Sequence, residues 1–134
     1  MDFSRPAVTI VVMASLPIVA VVDDDESVRV SLQSLLRSVG FCVEVFSSAE
    51  EFLNSDVPSN TKCLILDVGM PGVDGFELQS RLADGQYEIP VIFITAHSDE
   101  EVHQRALKVG AVDYLLKPFS KEALLNAVRV GLNK

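Results

Sequence analysis

Five short apolar runs punctuate the chain: "IVAVV" at 18–22, "CVEVF" at 42–46, "CLILDV" at 63–68, "PVIFIT" at 90–95 and "AVDYLL" at 111–116. All are rich in Val, Ile, Leu or Phe, and three read as continuously apolar, the pattern of a parallel strand covered on both faces. Between them apolar residues recur at helical spacing. Val28, Leu32, Leu35, Leu36 and Val39 form one such stripe, with Gly40 as its stop signal. "SAEEFLNS" predicts a short helix capped by Ser47 or Ser48, with acids in its first turn. A third helix is expected over 75–83, ended by Asp84–Gly85. "SDEEVHQRALKVG" gives a fourth, capped by Ser98 and stopped by Gly110, and Ser120 caps a fifth that runs to about residue 132.

Strand followed by helix, five times over, predicts an α/β fold: a doubly wound five-stranded parallel sheet with helices on both faces. In the flavodoxin-like order 2-1-3-4-5, ligands bind outside the carboxyl ends of the strands, where the order switches between the first and third. That rim collects the chemistry. The first run ends on Asp23 and Asp24, the third on Asp67, the fourth on Thr95, and the fifth on Lys117 and Pro118. Carboxylates from adjacent strands suit a hard divalent cation, and Mg²⁺ prefers a few carboxylates while keeping water. A carboxylate can also attack phosphorus to form an acyl phosphate. Such a transfer needs alignment and neutralised charge, which a cation on Asp23 and Asp24 and the ammonium of Lys117 would bring from two sides.

Composition narrows the classes. A length of 134 residues suits one domain, and 49% hydrophobic with 22% charged residues describes a globular chain. Nineteen acids against eleven bases, a net charge of -8, argue against direct nucleic-acid binding, because phosphate contacts need clustered Lys and Arg. Cys42 and Cys63 make no CxxC and no disulfide framework; they read as small buried hydrophobes of a cytoplasmic protein. The apolar stretch 6–22 imitates a signal peptide, but Pro17 interrupts it and its end fits a core strand. The reading adopted divides it: residues 1–16 are an N-terminal extension, with Met13 a second candidate start, and 17–134 are the domain. No membrane association is expected.

The segments "VVDDDESVR", "LILDVGMPGVDG", "VIFITAH" and "AVDYLLKPF", in this order and at these separations, resemble a receiver domain of the two-component response regulator family. The resemblance covers about residue 17 to 134. It implies that Asp67 is the phosphoacceptor. Asp23 and Asp24 would be the acidic pair for Mg²⁺, with Asp24 the more direct ligand and the backbone carbonyl of Gly69 completing the protein's share. Thr95 and Lys117 would contact the phosphoryl group. Tyr114 would be an aromatic switch that turns inward as Thr95 moves, and Pro118 would follow a cis peptide. The implied partner is a sensor histidine kinase or a phosphotransfer protein. The implied output is a changed face made by the fourth helix, fifth strand and fifth helix, where Leu107 or Val130 would serve docking or a homodimer. Such a domain is a signalling module that phosphorylates and dephosphorylates itself, not an enzyme with turnover.

Departures from the family pattern are few. Asp25 extends the acidic pair and reads as a helix-start acid, as does Glu26. Gly69 stands where a larger side chain is common and, with His97, flanks the phosphoryl position, so both bear on how long the phosphate lasts. Gly72 and Gly75 read as turn residues, and His103 as a surface residue without a task. A phosphorylation-independent interaction domain is the alternative, opposed by the intact set of acids, Thr95 and Lys117. A phosphohydrolase of the haloacid-dehalogenase type would place an acid two residues after the nucleophile, where this chain has Gly69. Neither GxxxxGK[ST] nor GxGxxG occurs, against a nucleotide site.

Overall fold

A computed structural model describes residues 17–134, so the expected extension 1–16 lies outside the described residues. The strands are β1 (Ile18–Val22), β2 (Cys42–Phe46), β3 (Thr61–Asp67), β4 (Val91–Thr95) and β5 (Asp113–Leu116). The helices are α1 (Glu26–Ser38), α2 (Ala49–Leu53), α3 (Gly75–Asp84), α4 (Glu100–Lys108) and α5 (Lys121–Leu132). All strand pairings are parallel and the sheet order is β2-β1-β3-β4-β5, as the alternation of patterns predicts.

The period-2 geometry of the strands sorts their apolar residues onto two cores. Ala20, Val22, Leu64, Leu66 and Phe93 face one side, with Phe52 of α2 and Phe76, Leu78 and Leu82 of α3. Val19, Val21, Ile65, Ile92 and Ile94 face the other, with Leu32 and Leu36 of α1 and Leu124 and Val128 of α5. Strands β1 and β4, and β3 from Cys63 to Leu66, are therefore apolar at nearly every position, because both of their faces are covered. Cys63 lies fully in the second core, where burial pushes its thiol up to about 12; Cys42, at the edge, is half-buried.

Several boundaries differ from the periodicity. β3 starts two residues before its apolar run, because a 3-10 turn at Pro58–Asn60 delivers Thr61 opposite Ile18, and the Thr61 hydroxyl donates to the Val57 carbonyl at 2.8 Å. β5 begins only at Asp113; Ala111 spends its amide on Ala106 in closing α4, while Val112 donates to Val91 at 2.8 Å. The α4 cap is Asp99 and not Ser98. Asp99 has the extended backbone of a cap, and its carboxylate accepts from Glu101 N at 2.9 Å and Val102 N at 3.4 Å. Of two adjacent residues with suitable oxygens, the backbone angles choose one. Ser48 and Ser120 cap α2 and α5. Gly40 and Gly110, both left-handed, follow the ends of α1 and α4. Among the described residues no helix is long and apolar enough to cross a membrane.

Candidate functional site

The carboxyl ends of β1 and β3 lie side by side, since Val22 pairs with Leu66. The residues that follow, Asp23 and Asp67, are thereby brought together with Asp24, and carboxylate oxygens of all three lie within 4.8 Å of one another. Asp23 and Asp67 are buried and Asp24 is exposed. An all-oxygen, strongly anionic donor set with one open side fits a hard divalent cation that keeps part of its water.

Lys117 enters from the far edge. β5 adds next to β4, and Lys117 N donates to the Thr95 carbonyl at 2.7 Å, which carries the β4–β5 ladder one residue past the strand. The Lys117–Pro118 peptide is cis. The Lys117 ammonium donates to Asp23 Oδ2 at 2.8 Å and stands 3.7 Å from Asp67 Oδ2. Burial works against its charge, but the hydrogen bond and charge of Asp23, with Asp67 behind it, hold its pKa above the usual lysine value.

Burial has the opposite consequence at Asp67, where the carboxyl is pushed up to about 6. Burial is the main cause and the charge of Asp23 adds to it, against a hydrogen bond from Gly69 N at 3.1 Å and the attraction of Lys117. One carboxylate of the cluster thus holds the ammonium by a direct hydrogen bond, while its neighbour, bonded to Gly69 N, is kept less acidic.

Thr95 ends β4, one residue beyond Ile94, the partner of Asp67 in the ladder. Its hydroxyl accepts from His97 N at 3.2 Å. Tyr114 Oη donates to the His97 carbonyl at 3.4 Å, and the Tyr114 ring lies flat on the imidazole of His103, centroids 4.8 Å apart. His103 thus has the contact that its sequence position did not suggest. Asp25 is the N-cap of α1, accepting from Ser27 N at 2.9 Å and Ser27 Oγ at 2.6 Å, and the Ser27 hydroxyl chiefly keeps its carboxyl below the usual range.

Gly69 follows the cluster; a Cβ there would approach Asp67 Oδ1 only to 4.0 Å. Gly72 has φ of +75°, as a turn glycine should. Gly75 is different. It opens α3, and a Cβ on it would lie 2.6 Å from the Asp67 carbonyl oxygen, so it is needed for close approach and not for a turn. Local pattern does not separate it from Gly72, because both glycines lie in the stretch that follows the strand ending at Asp67.

The family model for the response regulator receiver domain matches residues 19–129. Nodulation protein W of Bradyrhizobium diazoefficiens is 52% identical over 111 residues, which are 83% of this chain and 49% of that protein. Response regulator protein TodT of Pseudomonas putida is 46% identical over 115 residues, 86% of this chain and 51% of that one. The solved structure of response regulator StyR matches with a TM-score of 0.82 and 50% identity, covering 88% of this chain and 60% of that chain. The chain thus spans about half the length of the curated relatives it matches. With the sheet order, the acid cluster and the family match in agreement, the chain belongs to the response regulator receiver domain family and is a two-component signalling module.

Proposed function

We propose that this domain accepts a phosphoryl group on Asp67 from a phosphohistidine of a sensor histidine kinase or phosphotransfer protein. The observation that carries the reading is the placement of Lys117, 2.8 Å from Asp23 and 3.7 Å from Asp67 beside the three-carboxylate cluster. An Asp67 oxygen attacks phosphorus in line as the bond from phosphorus to the imidazole nitrogen breaks. The products are an acyl phosphate and a neutral histidine once the leaving nitrogen has its proton. Lys117 is close enough to shift from Asp23 toward the new phosphoryl oxygens. Mg²⁺ held by Asp23, Asp24, Asp67 and the Gly69 carbonyl would supply the remaining positive charge.

The donor's docking surface in this reading is the groove of about 520 Å³ beside the site, lined by Val28, Leu32 and Leu35 of α1 with Pro118 and Phe119. The output is a two-state change. Thr95 turns toward the phosphoryl group, and Tyr114 leaves His103. The face of α4, β5 and α5 changes with them. Leu107 at 57%, Leu116 at 43% and Val130 at 52% exposure are the apolar contacts it offers to a partner or a second copy.

The test is intact mass after incubation with acetyl phosphate and Mg²⁺, for the wild type and Asp67→Asn. Addition of one phosphoryl group to the wild type alone, abolished by a chelator, is the expected result. Equal labelling of the variant would place the acceptor elsewhere, and labelling without any divalent ion would remove the metal role of Asp23 and Asp24.

A further inference from the structure

The loop that carries two of the three carboxylates is held by almost every polar atom of Asp23. Its N–H donates to the Phe46 carbonyl at 3.1 Å, Oδ1 accepts from Asp25 N at 2.9 Å, and Oδ2 accepts from Lys117. Its own carbonyl is engaged as well. Arg29, one turn into α1, sends Nη1 back to that carbonyl at 2.8 Å, while Arg29 N donates to the Asp25 carbonyl at 3.1 Å. The backbone bond is the ordinary first bond of the helix onto its N-cap carbonyl, so what Arg29 adds is the guanidinium tie to the residue before Asp24. Asp24 is exposed, so where its carboxylate points depends on the backbone beneath it.

We propose that Arg29 is a positioning residue of the site. Through the Asp23 carbonyl it fixes the Asp23–Asp25 loop so that both carboxylates face one divalent cation together. Its charge-assisted bond is stronger than a neutral one, and the guanidinium places a permanent positive charge behind a loop with consecutive acids. The proposal rests on the reading that the cluster holds Mg²⁺, and it adds a residue that reaches the ion only through another.

Mg²⁺ titrated calorimetrically into the wild-type chain, Arg29→Gln and Arg29→Lys tests it. Removing such a supporting contact weakens metal binding by roughly 10- to 100-fold, and about tenfold is expected for Arg29→Gln. Lysine keeps a charged donor and recovers most of that loss. A second readout separates positioning from damage. The Mg²⁺ concentration giving half-maximal labelling by acetyl phosphate rises with the calorimetric constant. The rate at saturating Mg²⁺ stays within about twofold of wild type. Arg29→Gln binding Mg²⁺ as tightly as wild type overturns the proposal. So does a lowered rate at saturating Mg²⁺ with unchanged affinity. A wild-type chain that binds no Mg²⁺ overturns the underlying reading instead, and the two failures are told apart in the same titration.

Discussion

The ammonium of Lys117 rests on Asp23, at 2.8 Å, and not on Asp67, which is 3.7 Å away. Asp23 is fully buried and Lys117 is half-buried, so the Asp23 carboxylate depends on the ammonium for its charge partner. Lys117→Ala leaves a buried carboxylate without its cation, and a loss of about 2–4 kcal/mol is expected. Asp23→Asn in the same background restores part of it. A double-mutant cycle by urea unfolding without divalent ions should give a coupling of about 1–3 kcal/mol. Additive single effects would show that the pair contributes nothing as a pair.

Asp67 makes the stability of the metal-free domain depend on pH in a defined direction. Its carboxyl titrates near 6 in the fold against 3.8 ordinarily, so the folded state binds the proton more tightly than the unfolded chain. The favourable contribution is complete below pH 3.8 and is lost as pH rises through 6. Asp67→Asn removes this dependence. At neutral pH it should be more stable than the wild type by roughly 1–3 kcal/mol, with the gap closing toward pH 4. Melting curves of both proteins from pH 4 to 7.5 decide it. A constant gap would mean that the carboxyl titrates as it does in water.

Gly75 should tolerate no side chain. Alanine would bring a Cβ to 2.6 Å from the backbone oxygen of Asp67, and backbone cannot step aside as a flexible side chain can. Gly75→Ala is expected to cost about 1–3 kcal/mol and to slow labelling of Asp67, since the loop it displaces carries the acceptor. Gly40→Ala is the control. It has open space but a φ of +96°, so it should cost about 1 kcal/mol and leave labelling intact. Equal labelling rates for the two variants would contradict the expected link from α3 to Asp67.

The flat stack of His103 on Tyr114 is a spectroscopic handle on the proposed switch, with planes only 10° apart. Ring protons of Tyr114 should carry an upfield shift in the wild type that His103→Ala removes, at a stability cost below about 1.5 kcal/mol. Phosphorylation of the wild type should remove the same shift. Persistence of the stacked shift in the phosphorylated protein would sink the proposed movement of Tyr114.

Much of this arrangement is legible from local pattern. "IVAVV" and "VIFIT" read as doubly covered strands because each residue's burial follows its own position in a period-2 chain. Once parallel strands are inferred, their carboxyl ends must share a rim, so Asp23, Asp67, Thr95 and Lys117 can be named before any coordinates exist. Short-range patterns do less well where two neighbours are chemically alike. Ser98 and Asp99 both offer a capping oxygen, and only backbone angles tell them apart.

Contacts across the fold carry no signature in periodicity. Lys117 and Asp23 stand 94 residues apart, and which of two buried carboxylates the ammonium meets depends on how β5 packs beside β4. The close passage of Gly75 beneath Asp67, the reach of Arg29 to the Asp23 carbonyl and the pairing of His103 with Tyr114 have the same origin. A chain's hydrophobic period sets which face each element buries, since that follows from its own residues. Differences of an ångström in the distances between side chains on different elements are decided only when those elements are packed against a common core.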